Sequence, residues 1–189
     1  MANELKGDYC ITIDFIKDTP NPERIFIAMS EIIKSFQKFD HILLDSISSN
    51  IEPVIMLEDV EAGSLRTWLS TVIKGIPDSA IEDLEWKKII GNYLKKGKYI
   101  VLNFLDKKTT ITDATFIEDI QYELLEEAEK TNLKSFPDYH PVQLKKLIGG
   151  IDSINKALQS LDKRDKATFD TGTDKASFNL ELNLSPENL

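Results

Sequence analysis

The stretch from Ile51 to Ile76 constrains the fold most, because its hydrophobic pattern changes within a few residues. Apolar residues run without a break from Val54 to Leu57, which is typical of a buried strand, and an acidic step, Glu58–Glu61, follows. Helical spacing then predicts a helix, on the apolar residues Leu65, Trp68, Leu69, Val72, Ile73 and Ile76. Gly63 would give the turn its backbone freedom, and Ser64 would cap this helix.

The composition is that of a globular domain. The chain has 189 residues, of which 41% are hydrophobic and 29% charged, enough for one sizeable core. No apolar run approaches the roughly 20 residues that cross a bilayer, and the polar amino terminus has no signal-peptide pattern, so we expect a cytoplasmic protein. The single cysteine, Cys10, cannot form an internal disulfide and sits in an apolar strand pattern, which predicts a buried, inert thiol.

The net charge of -9 argues against general binding of nucleic acid, which requires a positive surface. The densest basic region holds five lysines, at Lys87, Lys88, Lys95, Lys96 and Lys98. No arginines or exposed aromatic residues are interleaved with them, so the pattern indicates a solvated helix face rather than phosphate recognition.

The amino-terminal half begins with a strand and a long helix. Residues Tyr9–Lys17 alternate apolar and polar side chains, which predicts a strand with one buried face. Asn21 is suited to cap the next helix, with Pro22 in its first position, and the apolar stripe of this helix continues to Ile47.

The middle of the chain is predicted to be helical. One helix covers Ile81–Lys95 and is interrupted at Gly97. Periodicity alone does not assign the apolar run Tyr99–Leu105, for which we favour a helix. Thr115–Glu118 matches a capping box that would open a further helix reaching Lys130.

The carboxyl-terminal third changes from helical to strand periodicity. A helix from Val142 to Leu161 contains adjacent glycines at 149 and 150, each costing about 1 kcal/mol against alanine, which indicates a close helix contact or a bend. Lys166–Thr171 and Ala176–Leu184 predict a β-hairpin. The final residues, Ser185–Leu189, resemble a helix start, and this suggests that the chain belongs to a longer protein.

These elements predict an α+β fold with one largely antiparallel sheet of about four strands, two from the amino-terminal half and two from the hairpin, covered by several helices. The first two strands could instead pair in parallel, or a hairpin strand could insert between them. We expect residues 1–189 to form a single domain. The alternative division is a helix-rich body at 1–162 and a hairpin at 163–189 that leads into a further domain.

Carboxylates near the end of the second strand are the first place to look for chemistry. Glu58, Asp59 and Glu61, with Asp14 on the neighbouring strand, could converge on a divalent cation. Acidic residues at such positions are also commonplace as caps and solvated turns. The catalytic interpretation is a metal-dependent enzyme acting on phosphodiesters, with Lys87 or Lys95 near the phosphate.

Other catalytic patterns are missing from the sequence. The two histidines, His41 and His140, fit no zinc spacing, and Ser64 lacks the glycine pair of a nucleophile elbow. No phosphate-binding glycine loop occurs, so we expect neither a cofactor nor a metal. Trp68 and Trp86 are more typical of a core, but they are the first aromatic residues to consider at an interface.

The segments ITIDFIKDTPNPERIFIAMSEIIKSFQKFDHILLDSI and IEPVIMLEDVEAGSLRTWLSTVIKGI resemble a group of uncharacterised bacterial proteins. The shared features are a strand, a long helix, and a strand that ends in an acidic turn before Gly-Ser. The resemblance covers the first half of the chain and carries over no functional residue. It implies a bacterial or mobile-element origin and an accessory role, for example in defence or toxin-type gene clusters.

We therefore predict a non-catalytic protein-interaction or assembly module, which binds a protein partner or self-associates as an oligomer. The metal-dependent enzyme is the alternative. A third interpretation is membrane association through Tyr99–Leu105, but the negative charge argues against binding anionic lipid.

Overall fold

Strand β1, Tyr9–Asp14, lies in the middle of an antiparallel sheet in the computed structural model, which describes residues 7–17, 21–61, 64–107 and 114–179. The strands of this described part are β1, β2 (Glu52–Glu61), β3 (Leu65–Lys74), β4 (Lys166–Asp170) and β5 (Lys175–Asn179), in the order β2-β3-β1-β4-β5. The helices are α1 (Glu23–Asp45), α2 (Ile81–Lys107), α3 (Ala114–Lys130) and α4 (Leu144–Leu158), with a short 3-10 helix at Leu133–Ser135. The predicted α+β class with a largely antiparallel sheet is confirmed.

The predicted helix over Leu65–Ile76 is wrong, because Leu65–Lys74 forms β3. Leu65, Leu69 and Ile73 are spaced by four, and this spacing places side chains on one side of a strand as well as of a helix. The β-branched Thr67 and Thr71 fall between them and favour the strand. As an inner strand, β3 pairs with β2 on one side and β1 on the other, so its backbone groups are bonded on both sides.

The acidic step also belongs to a strand. β2 continues through Glu58 to Glu61, with a bulge between Leu57 and Asp59, and forms a hairpin with β3. The expected roles of Gly63 lie outside the described residues. This hairpin raises the sheet from four strands to five, and it excludes parallel pairing of β1 with β2 because β3 lies between them.

Three helix boundaries differ from the predictions. Pro22, not Asn21, precedes the first residue of α1 and supplies no side-chain cap. α3 begins at Ala114, so Thr115 lies inside the first turn instead of capping it. α2 does not stop at Gly97 but runs to Lys107, which confirms helix over the apolar run Tyr99–Leu105.

Two glycines mark close helix contacts. A Cβ on Gly97 would lie 2.6 Å from Cδ1 of Leu43, so α2 passes close to α1 at this point. A Cβ on Gly150 would lie 2.8 Å from Cδ2 of Phe39, so the predicted close contact of α4 is with α1.

The C-terminal hairpin is confirmed within the described residues. β4 pairs with β1 from Cys10↔Asp170 to Asp14↔Lys166, and β5 forms the edge of the described sheet. The predicted extension of the second strand towards Leu184 and the helix start at 185–189 lie outside the described residues. No helix in the described part is both long and apolar enough to cross a bilayer.

The core lies between the sheet and the helices. Tyr9 of β1 and Phe169 of β4 lie 5.3 Å apart between ring centroids, and Phe36 of α1 packs edge-on against Phe169 at 5.6 Å. All three side chains are buried. The aromatic cluster therefore joins α1 to two neighbouring strands whose sequence positions differ widely.

A buried ion pair crosses this core. Nζ of Lys98 on α2 donates to Oδ1 of Asp40 on α1, and both side chains are fully buried. Lys98 Nζ also lies 5.3 Å from the centroid of the Tyr9 ring. Burial raises the pKa of Asp40 and lowers that of Lys98, while their mutual attraction opposes both shifts.

The pair is incompletely satisfied. The second carboxylate oxygen of Asp40 is buried with no hydrogen-bond partner among the described residues. Because buried charges lose their hydration, such a pair constrains helix placement more than it raises stability.

We expect Lys98→Met alone to lower the free energy of unfolding by about 3–5 kcal/mol, because it leaves a buried carboxylate unpaired. The double variant Asp40→Leu/Lys98→Met should recover most of this loss. Urea denaturation of Lys98→Met, Asp40→Leu and the double variant measures these changes in the free energy of unfolding. Equal losses in Lys98→Met and the double variant would contradict the coupling.

The adjacent glycines of α4 supply a matched pair of variants. Gly149→Ala should raise stability by about 0.5–1 kcal/mol, because nothing lies within 4 Å of the added Cβ and alanine favours the helix. Gly150→Ala should lower it by about 1–2 kcal/mol, because the Phe39 ring must move. Thermal unfolding measures both, and the same sign for the two variants would disprove the contact.

Candidate interaction surface

One face of the sheet carries polar side chains in cross-strand rows. Thr12 of β1 lies opposite Arg66 on β3 and Thr168 on β4, so these side chains share the face turned away from the buried Ile11 and Ile13. In the next row Cys10 lies between Trp68 and Asp170. We name this side of the sheet the open face.

A groove of about 610 Å³ runs across the open face. Every described residue that lines it comes from the sheet or from the turn between β4 and β5: Cys10, Thr12, Asp14, Arg66, Trp68, Thr168, Asp170, Thr171, Gly172, Thr173 and Lys175. The lining mixes hydroxyls with charges of both signs, and no described helix residue contributes to it.

The charges in the groove are held by neighbours. Glu61 accepts hydrogen bonds from Nη1 of Arg66 and Nε1 of Trp68, both at 3.3 Å. Nζ of Lys175 lies 3.8 Å from Oδ2 of Asp170. Arg66 and Asp170 are therefore compensated by these neighbours, and Asp14 is an exposed carboxylate in the same groove.

The turn that closes one end of the groove is built locally. Oδ1 of Asp170 accepts from the N–H of Gly172 at 2.8 Å, and the N–H of Thr171 donates to the Asp174 carbonyl at 2.9 Å. Gly172 has a φ of 84°, which favours glycine. Nζ of Lys96 on α2 also donates to Oδ1 of Asp174 at 2.9 Å, so the groove wall depends on the β4–β5 sequence and on one contact with α2.

The four acidic residues of the catalytic interpretation have separate surroundings in the structure. Asp14 lies in the groove, and Glu61 is bound to Arg66. Glu58 is exposed at the bulge, and Oδ1 of Asp59 accepts from the N–H of Val60 at 2.8 Å. Among residues 7–17, 21–61, 64–107 and 114–179, no three His, Cys, Asp or Glu side chains are grouped to hold a metal ion.

The two lysines that the catalytic interpretation places near a phosphate, Lys87 and Lys95, do not lie beside these carboxylates. Nζ of Lys87 donates to Oδ1 of Asp78. Lys95 lines a second groove, beside Lys96 and Lys130, on the helical side of the molecule. Neither lysine is among the residues that line the groove containing Asp14.

Both tryptophans are packed. Trp68 is 5% exposed despite its position on the open face, and Trp86 is half-buried with its ring perpendicular to that of Phe136 at 5.0 Å. Trp68 contributes to the wall of the groove, whereas Trp86 contributes to packing between α2 and the segment after α3. Neither presents a fully exposed ring.

The largest exposed apolar surface of the sheet lies along β2, which forms the edge of the sheet built by the described residues. Met56 is 46% exposed, Leu57 61% and Val60 50%. Val72 of β3, opposite Val54, is also exposed and shares the face of Met56, whereas Leu57 and Val60 lie on the other face. We name Met56, Leu57, Val60 and Val72 the edge patch. The uninterrupted apolar run predicts that Met56 and Leu57 lie in a buried strand. They are exposed because β2 pairs only with β3 among the described strands and therefore lies at the edge of the sheet.

No family model, curated protein or solved structure matches this chain. The resemblance to uncharacterised bacterial proteins therefore stays a prediction.

The thiol of Cys10 reports on the open face, because it is the chain's single cysteine. It is 3% exposed, and burial raises its pKa. We expect a disulfide reagent such as DTNB to label it at least about 100-fold more slowly in the native protein than in urea, because the thiolate is the reacting form. Trp68→Ala should accelerate labelling by opening the neighbouring wall. Fast labelling of the native protein would contradict this burial.

Proposed function

We propose that this chain is a protein-interaction module that binds a partner polypeptide through β2. The observation that carries the proposal is a ten-residue edge strand whose apolar side chains stand exposed on both faces. Apolar edge strands promote pairing with other chains unless they are covered or interrupted, and in β2 the bulge after Leu57 and the acids beyond it confine this property to the segment before the bulge. The edge patch therefore has the properties of a contact surface.

The energetics favour a partner that covers this strand. Full burial of one large apolar side chain contributes about 1.5–3 kcal/mol, so Met56, Leu57 and Val60 together contribute several kcal/mol. Association also costs about 4–15 kcal/mol of lost freedom. Side-chain burial along β2 must then be accompanied by further contacts, which the backbone of an edge strand provides.

The groove on the open face supports a binding role more than a catalytic one. Arg66 is paired with Glu61 and Asp170 with Lys175, and the one thiol that lines the groove is buried with a raised pKa. We further propose that the protein is a cytoplasmic accessory subunit of bacterial origin.

The proposal predicts a loss of binding when the edge patch becomes polar. We expect Met56→Ser/Leu57→Ser to reduce retention of a partner at least 10-fold, because both side chains are exposed in the free chain and buried in the complex. Immobilised native and variant chains are incubated with extract of the source cells, and retained proteins are quantified by mass spectrometry.

The matched control is Leu84→Ser on α2, since Leu84 is 52% exposed and Leu57 61%. It should retain the same partner as the native chain. Native mass spectrometry of each variant measures self-association in parallel. If every protein retained by the native chain is retained equally by the edge variant, the assignment of β2 as the contact surface is wrong.

A further inference from the structure

The backbone of β2 shows which of its groups face the free edge. The N–H of Thr71 donates to Oδ2 of Asp8 at 2.9 Å, so it points towards β1 and away from β2. Ile55 is the residue opposite Thr71. In an antiparallel ladder, opposite residues either exchange both hydrogen bonds or face away from each other, so the N–H and C=O of Ile55 point outwards.

Along a strand, the backbone N–H and C=O groups of every second residue point to the same side, so the orientation of Ile55 also gives that of its neighbours. Pro53 and Leu57, two residues to either side of Ile55, face the same way. Pro53 has no N–H, and a proline at this orientation removes no bond to β3.

The outward groups are concentrated before the bulge. Beyond it, the N–H of Val60 is bonded to its neighbour Asp59. The segment Pro53–Leu57 thus presents two outward N–H groups, on Ile55 and Leu57, between apolar side chains on both faces. We name this segment the docking strand.

We propose that an extended segment of a partner protein adds to the docking strand as a further strand of the sheet, and that this segment is apolar in its centre and carries lysine or arginine at its ends. The inference rests on the proposed function, since it names the partner of the same surface. Main-chain hydrogen bonds to Ile55 and Leu57 would supply affinity, and the alternating side chains would supply selectivity.

The charge of β2 argues for basic ends. Glu52–Glu61 contains four carboxylates and no basic residue. Lys74 lies opposite Glu52 and Arg66 is bonded to Glu61, so Glu58 beside the docking strand is the exposed acid with no basic residue across the ladder. A cation on the incoming strand opposite Glu58 is favourable, and a carboxylate there is not.

The same charges disfavour a second copy of this chain. If two docking strands paired about a two-fold axis through Ile55, each Glu52 would face the Glu58 of the other copy. Like charges directly opposite each other in a ladder are destabilising. The net charge of -9 on each chain adds to this repulsion.

The test uses the full chain and two synthetic probes, an alternating valine–threonine heptapeptide with lysine at both ends and the same peptide with glutamate at both ends. Fluorescence anisotropy measures their binding. We expect the lysine peptide to bind at least 10-fold more tightly, and Glu58→Lys to reduce or reverse the preference. Equal affinity of the native chain for both peptides would overturn the charge assignment.

Amide hydrogen exchange then locates the contact. Exchange at Ile55 and Leu57 should slow at least 10-fold on binding of the lysine peptide. Exchange at Met56, whose N–H faces β3, should change little, and this amide is the internal control. Binding without protection at Ile55 and Leu57 would overturn strand addition. Concentration-dependent protection without peptide would identify a second copy as the occupant and would overturn the proposal.

The two proposals fail separately. A cellular partner that is lost in Met56→Ser/Leu57→Ser, combined with no binding of the lysine peptide, would overturn strand addition by a basic segment but support the interaction surface. Loss of peptide binding in the edge variant and not in Leu84→Ser supports both. Peptide binding that is unchanged in the edge variant contradicts both.

Discussion

Strand β1 pairs with β3 on one side and with β4 on the other, and the rest of the structure depends on this double pairing. Ile11 lies opposite Thr67 and Phe169, so one central strand joins two hairpins that are far apart in the sequence. Pairing β1 with β4 requires closure of a long loop that contains α1, α2, α3 and α4, and such closure carries an entropic cost. Burial of Tyr9, Ile11 and Ile13 against the helices offsets that cost.

The position of β1 also determines what the sheet leaves exposed. With β1 in the centre, β2 lies at one edge of the described sheet, and the polar residues of β1, β3 and β4 share the open face. Two ion pairs, Arg66–Glu61 and Lys175–Asp170, link neighbouring strands on this face, whereas the edge patch remains apolar and uncovered by the described residues. The same sheet therefore has a polar groove on its open face and an exposed apolar surface along the edge strand β2.

The helical layer is constrained by contacts of two kinds. Gly97 and Gly150 let α2 and α4 approach α1 closely, so small residues set the spacing of the helices. The Asp40–Lys98 pair then restricts how α2 is placed along α1, because displacement would separate two buried charges. The close approach at these glycines and the buried ion pair together fix how α2 and α4 lie against α1.

Local periodicity in the sequence was sufficient for β1, for most of the four helices and for the C-terminal hairpin, because each has a buried face with an unambiguous repeat. It failed at β3, since the spacing of Leu65, Leu69 and Ile73 suits a strand and a helix alike, and only pairing with β1 and β2 selects the strand. The candidate surface was missed for the same reason. Exposure of Met56 and Leu57 depends on the position of β2 in the sheet, a property of neighbours distant in sequence that tertiary structure alone determines.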